Sequence, residues 1–343
     1  MTDLVSLLEE LCLIDGISGD EGMVRDRIIE LIGDRCSCTT DRLGNLIVSY
    51  KGRKAPKNKV MVSAHMDEVG FIVTYITDEG FLKLEPVGGV DPRVLFGRRV
   101  RVGRNKLPAA VGAKPVHKLS GKEKDKAPDF DEMYADIGAQ SREEAQEYVS
   151  LGDSVMFEGS FLRFGNGLLS CKAIDDRVGC AVMLKLILDG ELEYDTVFTF
   201  VVQEEIGLRG SRCAAYAVNP DYALVLEATT AADIPSASGE KRVCEIGKGP
   251  VVSFMDRRTV YDKGLYRLAF ETAEKNGIPC QTKTMVAGGN DAGAIHLTRG
   301  GVSTAAISLP CRYLHSSCCV IGEEDLRNTY TLTKLMLDGI YNR

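Results

Sequence analysis

The spacing of apolar residues predicts two helices at the start of the chain. Leucines recur at helical spacing between positions 4 and 11, with two glutamates between them, as in an amphipathic surface helix. Ser18 and Glu21 have the spacing of a capping box, and the apolar residues between 24 and 32 then fall on one helical face. The pattern therefore predicts a second helix beginning near Glu21.

Short runs of β-prone residues follow the two helices. Residues 46–50 and 60–64 predict two strands, and the second runs directly into His65. Between Val69 and about Phe161 the pattern changes to short strands separated by frequent glycines, which predicts a small β-rich module. A helix at 141–149 interrupts this module.

From Lys172 onward, predicted helices and strands alternate, which is typical of an α/β sandwich with a largely parallel sheet. The predicted helices span 178–188, 211–218, 265–276 and 323–340, and the predicted strands span 196–203, 222–226 and 302–308. We therefore expect an α/β domain formed by residues 1–68 and 162–343, interrupted by a β-rich insertion at 69–161.

Composition limits the class of protein. The 343 residues are 44% hydrophobic and 27% charged, as in an ordinary folded protein, and the formal net charge of -7 gives no general attraction for nucleic acid or anionic lipid. The N-terminal segment does not resemble a signal peptide, so we expect a cytoplasmic protein without membrane anchoring. The 11 cysteines contain no CxxC pair and predict reduced thiols.

Only four histidines are present, so an imidazole-based site has few candidates. His65 follows an apolar strand, and Asp67 lies two residues on, where an extended backbone points both side chains the same way. A metal-binding imidazole needs such a carboxylate to orient its other nitrogen, although a polar loop at the end of a strand would have the same residues. His117 and His296 are interpreted as structural.

Two pairs of adjacent acids are further candidates. Asp175 and Asp176 precede an apolar helix, where they could equally be capping residues. Glu204 and Glu205 follow a buried strand, and two adjacent carboxylates there would repel each other without a cation. One of the pair could bind a metal while the other faces a water molecule, though a solvated charged turn remains an alternative.

Glu227 and His315 complete the set of candidates. Glu227 is expected to end the strand 222–226, and His315 follows the strand that ends at Ser308 by a few residues. Ligands of open α/β sheets gather outside the carboxyl ends of the strands, so these residues predict one site at that edge.

Four segments that contain candidate site residues resemble the corresponding segments of a known family. They read AHMDEVG at 64–70, KAIDDRVG at 172–179, QEEIGLRG at 203–210 and RYLHSS at 312–317. Together they resemble the co-catalytic zinc aminopeptidases of the tetrahedral (TET), glutamyl-aminopeptidase type, some of which carry the name endoglucanase M. The resemblance extends through the insertion and to GGNDAGAIH at 288–296. It implies the three-layer zinc-peptidase sandwich with a mostly parallel sheet and an inserted, barrel-like domain.

The resemblance also implies roles for the candidate residues. Asp175 would bridge two metal ions, with His65 and Glu227 completing one site. Glu205 and His315 would complete the other site. Glu204 would be the general base, and Asp67 would orient His65. This chain departs from the family at Glu227, where many relatives have Asp. Asp233 is a weaker candidate for the role of metal ligand there.

The implied activity is removal of N-terminal residues from peptides by metal-activated water. Two divalent ions are expected per subunit, zinc or cobalt first and manganese as a further option. Peptides are the expected partners, without nucleic acid or membrane, and the family implies homo-oligomers from dimers to tetrahedral dodecamers. A deacylase or another amide hydrolase on the same scaffold remains an alternative, as does a non-catalytic, metal-stabilised scaffold.

Overall fold

A computed structural model describes residues 3–121 and 125–343 of the chain. The helices are α1 (Leu4–Leu13), α2 (Gly22–Ile32), α3 (Pro92–Leu95), α4 (Arg142–Gln146), α5 (Ile174–Asp189), α6 (Arg209–Val218), α7 (Lys263–Lys275), α8 (Ala292–Ile295) and α9 (Glu323–Tyr341). The strands are β1 (Ser37–Thr40), β2 (Leu46–Tyr50), β3 (Val60–His65), β4 (Gly70–Ile76), β5 (Leu82–Val87), β6 (Arg99–Val102), β7 (Leu107–Ala113), β8 (Met133–Asp136), β9 (Ser154–Phe157), β10 (Leu162–Phe164), β11 (Leu168–Cys171), β12 (Thr196–Val201), β13 (Tyr222–Thr230), β14 (Val251–Val252), β15 (Gln281–Thr282), β16 (Ser303–Cys311) and β17 (Cys319–Gly322).

Eight strands form a central sheet in the order β1-β2-β12-β3-β13-β16-β14-β15. The four strands in its middle, β12, β3, β13 and β16, run parallel to one another. Antiparallel pairs flank them, between β2 and β12 on one side and between β14 and β16 on the other. The carboxyl ends of the central strands therefore meet at one edge of the sheet, as expected for an α/β site.

Helices cover both faces of this sheet because its central strands are apolar on both sides. On β3, Val62 and Ala64 pack into one hydrophobic cluster, whereas Met61 packs into another. The first cluster includes residues of α1, α2, α5, α7 and α9, and the second includes residues of α6 and α8. The three-layer α/β sandwich predicted from the sequence is thus confirmed.

The part of the chain that follows β3 and precedes β10 forms a separate antiparallel barrel. Its six strands close in the order β4-β5-β8-β7-β6-β9 around their own core, which includes Phe71, Val100 and Phe157. The barrel strands fall within the segment 69–161 where an insertion is predicted, and the exact limits of that insertion stay a prediction. A small antiparallel sheet, β10-β11-β17, lies outside both the barrel and the central sheet.

Three local predictions are wrong. Ser18 does not cap α2, because its hydroxyl donates instead to the carboxylate of Asp67 at 2.6 Å. The helix in the barrel segment is shorter than 141–149, since α4 ends at Gln146. Glu227 does not follow a strand: β13 continues to Thr230 through pairing with β16, so Glu227 lies inside it.

None of the helices in the described part of the chain combines the length and apolar character that a membrane crossing requires.

Candidate active site

His65 and Glu227 come from neighbouring parallel strands. His65 is the last residue of β3, and the pairing of Ser63 with Val225 places Glu227 opposite it. Both side chains are buried, and Nε2 of His65 lies 3.4 Å from Oε1 of Glu227. The interior location of Glu227 on β13 therefore places its carboxylate beside this imidazole.

His315 approaches the same place from the loop between β16 and β17. Its Nε2 lies 3.2 Å from Oε1 of Glu205 and 3.3 Å from Oδ2 of Asp175. Nε2 of His65 lies 3.5 Å from the other oxygen of that carboxylate, Asp175 Oδ1. Asp175 thus stands between the two imidazoles, with one oxygen towards each.

Backbone carbonyls fix the orientation of both imidazole rings. Nδ1 of His65 lies 3.0 Å from the carbonyl oxygen of Asp67, and Nδ1 of His315 lies 2.7 Å from that of Gly89. A carbonyl oxygen can only accept, so each Nδ1 carries the hydrogen when the ring is neutral. Each Nε2 then presents its lone pair to the carboxylates, the tautomer that a metal ligand requires.

The adjacent acids Asp175 and Asp176 have different surroundings. Both lie at the start of α5, but their own backbone angles are not helical, and the regular helix begins after them. The peptide bond between them is cis. The carboxylate of Asp176 accepts from the backbone N–H of Gly179 at 2.9 Å and of His65 at 3.2 Å. The helix-capping interpretation therefore applies to Asp176, whereas Asp175 faces the imidazoles.

The side chains of Glu204 and Glu205 also have different surroundings. They follow β12 after Gln203, whose φ of 57° turns the chain, and Glu205 reaches His315 while Glu204 lines the adjoining cavity. Asp67 holds both from behind: its carboxylate accepts from the backbone N–H of Glu204 at 3.0 Å and of Glu205 at 3.1 Å. This contact between residues 137 positions apart gave no local signal in the sequence.

Asp67 was predicted to orient His65 through its carboxylate. Its Oδ1 is 3.5 Å from Nδ1 of His65, whereas its own backbone carbonyl is at hydrogen-bond distance. The strand itself ends at His65, two residues before Asp67. Asp67 therefore contacts the imidazole chiefly through its main chain.

Ionisation of the cluster reflects crowding of acids in a buried place. Burial raises the pKa of Glu205 to about 7, and burial also raises the pKa values of Glu204 and Glu227 well above the usual range. Burial opposes the charge of Asp175 as well, but contacts with both histidines hold its pKa well below the usual range. Burial would lower the pKa of His315, yet Asp175 and Glu205 raise it to about 10. Such a cluster gains stability from positive charge.

Three groups of residues offer donor atoms close enough together to hold a cation. The atoms of each group lie within 4.8 Å of one another. The groups are His65 with Asp176 and Glu227, His65 with Glu204 and Glu205, and Asp175 with Glu205 and His315. Within the part of the chain that the structure describes, Oδ1 of Asp175 and Oε1 of Glu205 are buried without a hydrogen-bond partner.

A cavity of about 600 Å³ opens beside the cluster. Its lining includes Glu204 and His65, and it also includes Arg257, Arg258 and Lys283. No local pattern indicates that these basic residues lie near the acids, because loops after β14 and β15 bring them there. A volume of this size can hold a small ligand.

The remaining candidates lie outside the cluster. Asp233 forms a two-pronged ion pair with Arg312, with both N–O distances 2.6 Å. His117 is exposed in a short turn of the barrel segment, and Nδ1 of His296 contacts the carbonyl of Ala292 at 2.7 Å.

Comparison with known proteins gives one consistent relationship. The family described as M42 glutamyl aminopeptidase matches residues 44–332. A lysyl aminopeptidase of Pyrococcus furiosus is 35% identical, over 97% of this chain and 96% of its own length. The predicted resemblance to this family is confirmed, and so is the expectation of a peptidase.

Solved structures of aminopeptidases are also similar to this chain. An aminopeptidase from the archaeon Desulfurococcus kamchatkensis is 34% identical with a TM-score of 0.91, covering 97% of this chain and 93% of that one. The TET1 peptidase of Pyrococcus horikoshii, described as able to assemble into a tetrahedron or a large octahedral shell, is 35% identical with a TM-score of 0.86. That match covers 97% of this chain and 99% of the other.

Proposed function

The chain belongs to the M42 glutamyl aminopeptidase family, and from this membership we propose that it removes N-terminal residues from peptides with a dinuclear metal centre. The observation that carries the proposal is the arrangement around Asp175. Its two carboxylate oxygens face the Nε2 atoms of His65 and His315 at 3.5 and 3.3 Å. A carboxylate so placed can bridge two cations.

The donor set fits this proposal. His65 and Glu227 lie on one side of Asp175, and Glu205 and His315 lie on the other. Two imidazoles and three carboxylates, without a thiolate, suit zinc or cobalt and also accept manganese. The buried, unpartnered oxygens of Asp175 and Glu205 are the atoms that a bound cation would satisfy.

Bound divalent ions would supply Lewis acidity towards the peptide carbonyl and make water more acidic. Glu204 lines the cavity beside this centre, and one of its oxygens lies within 4.8 Å of donor atoms of His65 and Glu205. We assign to it the role of general base, which accepts the proton of the attacking water and returns it to the leaving amine. The carboxylate of Asp67 accepts a hydrogen bond from the backbone N–H of Glu204 and so holds Glu204 in place.

Glu204→Gln tests the mechanism. The amide keeps the shape of the side chain but cannot accept the proton, so kcat for an aminoacyl anilide should fall by about 10²–10⁴-fold. Metal content, measured by elemental analysis, should stay that of the unaltered protein. The exposed Glu147→Gln is the control and should keep full activity. Full activity in Glu204→Gln, with metal bound, would refute the role of Glu204.

A substrate panel tests the activity itself. Hydrolysis of aminoacyl anilides and short peptides with added Zn²⁺, Co²⁺ or Mn²⁺ is expected, whereas N-acylated amino acids should be poor substrates. The reverse preference would indicate the deacylase alternative. No turnover of any substrate would indicate a non-catalytic scaffold.

We also propose that the chain self-associates, as its relative from Pyrococcus horikoshii does. Large apolar side chains on the barrel segment support this: Phe96, Tyr148 and Leu151 are about half exposed or more, at 48%, 59% and 63%. Light scattering should give a mass several times that of the 37.4 kDa chain, and a monomer would contradict the proposal. The cytoplasmic location stays a prediction.

A further inference from the structure

The two imidazoles of the candidate metal centre receive their orienting carbonyls from different parts of the fold. Nδ1 of His65 lies 3.0 Å from the carbonyl oxygen of Asp67, which follows it closely in the chain. Nδ1 of His315 lies 2.7 Å from the carbonyl oxygen of Gly89, a residue of the barrel segment that is 226 positions away. The orientation of His315 therefore depends on where the barrel segment places one loop.

His315 is the more exposed of the two imidazoles. Its side chain is 34% exposed, whereas that of His65 is 2% exposed. The backbone of His315 has a φ of 57°, in the left-handed region that residues other than glycine adopt uncommonly. An imidazole with this much room can turn, so a hydrogen bond from outside its own loop is what keeps its Nε2 directed at Asp175 and Glu205.

The barrel loop that contains Gly89 also packs against Glu205. This loop joins β5 to α3, and Gly88 turns the chain there with a φ of 91°. A Cβ atom added at Gly88 would lie 3.2 Å from Cβ of Glu205 and 2.8 Å from Cγ1 of Val69. Both the backbone conformation and the close approach therefore require glycine. The loop thus lies against Glu205 and His315, the pair that we call the His315 half-site.

Packing of the barrel against the sandwich sets the position of this loop. Val87, the last residue before the loop, pairs with Gly70, where the first barrel strand begins after β3. The hydroxyl of Ser154 on β9 donates to the carboxylate of Asp20, between α1 and α2 of the sandwich, at 2.8 Å. The barrel is therefore attached to the sandwich at more than one point, and its loop approaches the site from a fixed direction.

We propose that Gly88 and Gly89 are positioning residues for the His315 half-site, so that metal binding there depends on the barrel loop. Metal binding by His65 and Glu227 does not depend on that loop. The proposal rests on the dinuclear centre proposed above and deepens it. Loss of the outer partner of a metal-binding histidine typically costs about 10–100-fold in metal affinity. A change in the barrel loop should therefore weaken one of two bound ions and leave the other.

Gly88→Ala tests the proposal directly, because the added methyl group must displace either the loop or Glu205. The full chain is stripped of metal with a chelator and titrated with Co²⁺, and binding is followed by elemental analysis and visible absorption. One of two equivalents should bind about tenfold or more weakly than in the unaltered chain, and the other should bind equally well. His315→Ala, which lacks a proposed ligand, gives the reference spectrum of the centre without that ion, and Gly88→Ala at low Co²⁺ should match it.

Gly152→Ala is the matched control. Gly152 also lies in the barrel segment and has a φ of 90°, but nothing lies within 4 Å of a Cβ atom added there. It should bind both equivalents as tightly as the unaltered chain. A second variant serves if Gly88→Ala does not fold: adding Val69→Ala removes the atom that the new methyl group would approach most closely. This double variant should show the same selective loss, and Val69→Ala alone should keep both equivalents.

Two outcomes would overturn the proposal. One is that both equivalents keep their affinity in the Gly88 variants, which would show that the loop does not position the half-site. The other is that both equivalents weaken equally, which would show a general disturbance of the fold. If the unaltered chain itself takes up fewer than two equivalents, the proposed dinuclear centre fails instead, and the same titration shows this before any variant is compared.

Discussion

Oδ1 of Asp67 accepts a hydrogen bond from the backbone N–H of Glu204 at 3.0 Å. Its second oxygen accepts from the backbone N–H of Glu205 at 3.1 Å and from the hydroxyl of Ser18 at 2.6 Å. One fully buried carboxylate therefore joins the end of β3 to the two glutamates after β12. Asp67 is thereby a positioning residue for the proposed base and for one proposed ligand.

Asp67→Asn should impair the enzyme without touching a proposed ligand. The amide turns one acceptor oxygen into a donor that faces a backbone N–H, so Glu204 and Glu205 should shift. Replacing an outer partner of a metal site costs about 10–100-fold in activity or metal affinity, and we expect a loss of kcat/KM in that range. Ser18→Ala, which leaves the backbone contacts intact, should have a smaller effect. Activity of Asp67→Asn within twofold of the unaltered protein would contradict this role.

Asp175→Asn should reduce metal binding. The carboxylate stands between both imidazoles, and a neutral amide offers one oxygen where two are needed. Elemental analysis should give two metal equivalents for the unaltered chain and less than one for the variant. Asp233→Asn should keep both equivalents, because Asp233 pairs with Arg312. Two equivalents in Asp175→Asn would count against the bridging role.

Lys172→Met should destabilise the fold strongly. Nζ of Lys172 lies 2.5 Å from Oε1 of Glu68 and 3.3 Å from Oδ1 of Asp15, and all three side chains are buried. Removing the cation leaves buried carboxylates less compensated, which costs about 3–5 kcal/mol. Urea unfolding should show this loss. Lys51→Met is the control: its ion pair is exposed and contributes at most about 1 kcal/mol, so similar effects of the two changes would refute the argument.

Glu21→Gln should alter the dependence of stability on pH. Burial, and then the charge of Asp67, raise the pKa of Glu21 from 4.5 to about 7. The folded state therefore holds this proton more tightly than the unfolded state. The resulting stability is complete below about pH 4.5 and is lost as the pH rises through about 7.

Glutamine cannot titrate, so the variant should lose less stability than the unaltered chain between pH 5 and pH 8. The difference should be on the order of 2–3 kcal/mol, measured by urea unfolding at both pH values. Glu147→Gln, an exposed substitution, should leave the profile unchanged. Parallel profiles for Glu21→Gln and the unaltered chain would show that Glu21 does not control this slope.

Local sequence determined much of the fold, because strand and helix formation depend on neighbours a few residues apart. The apolar run before His65 forms β3, and the alternation after Lys172 gives helices on both faces of a parallel sheet. The acids and histidines after these strands predicted one site, since parallel strands end at the same edge.

Tertiary structure alone decided which member of each acidic pair faces the site. Asp176 is held by the N–H groups of Gly179 and His65, so Asp175 is left to face the imidazoles. Strand pairing with β16 extends β13 past Glu227, which no local pattern indicates.

Packing likewise brings the basic residues Arg257, Arg258 and Lys283 to the cavity. Arg258 lines the cavity because its turn packs against a segment 31 residues further along, where Gly289 and Gly293 leave space. The sequence pattern determined most of the helices and strands and the types of residue available to the site, but not the exact ends of elements such as β13. Their directions, and the charge of the cavity, depend on contacts between residues far apart in the chain, which hydrophobic periodicity does not encode.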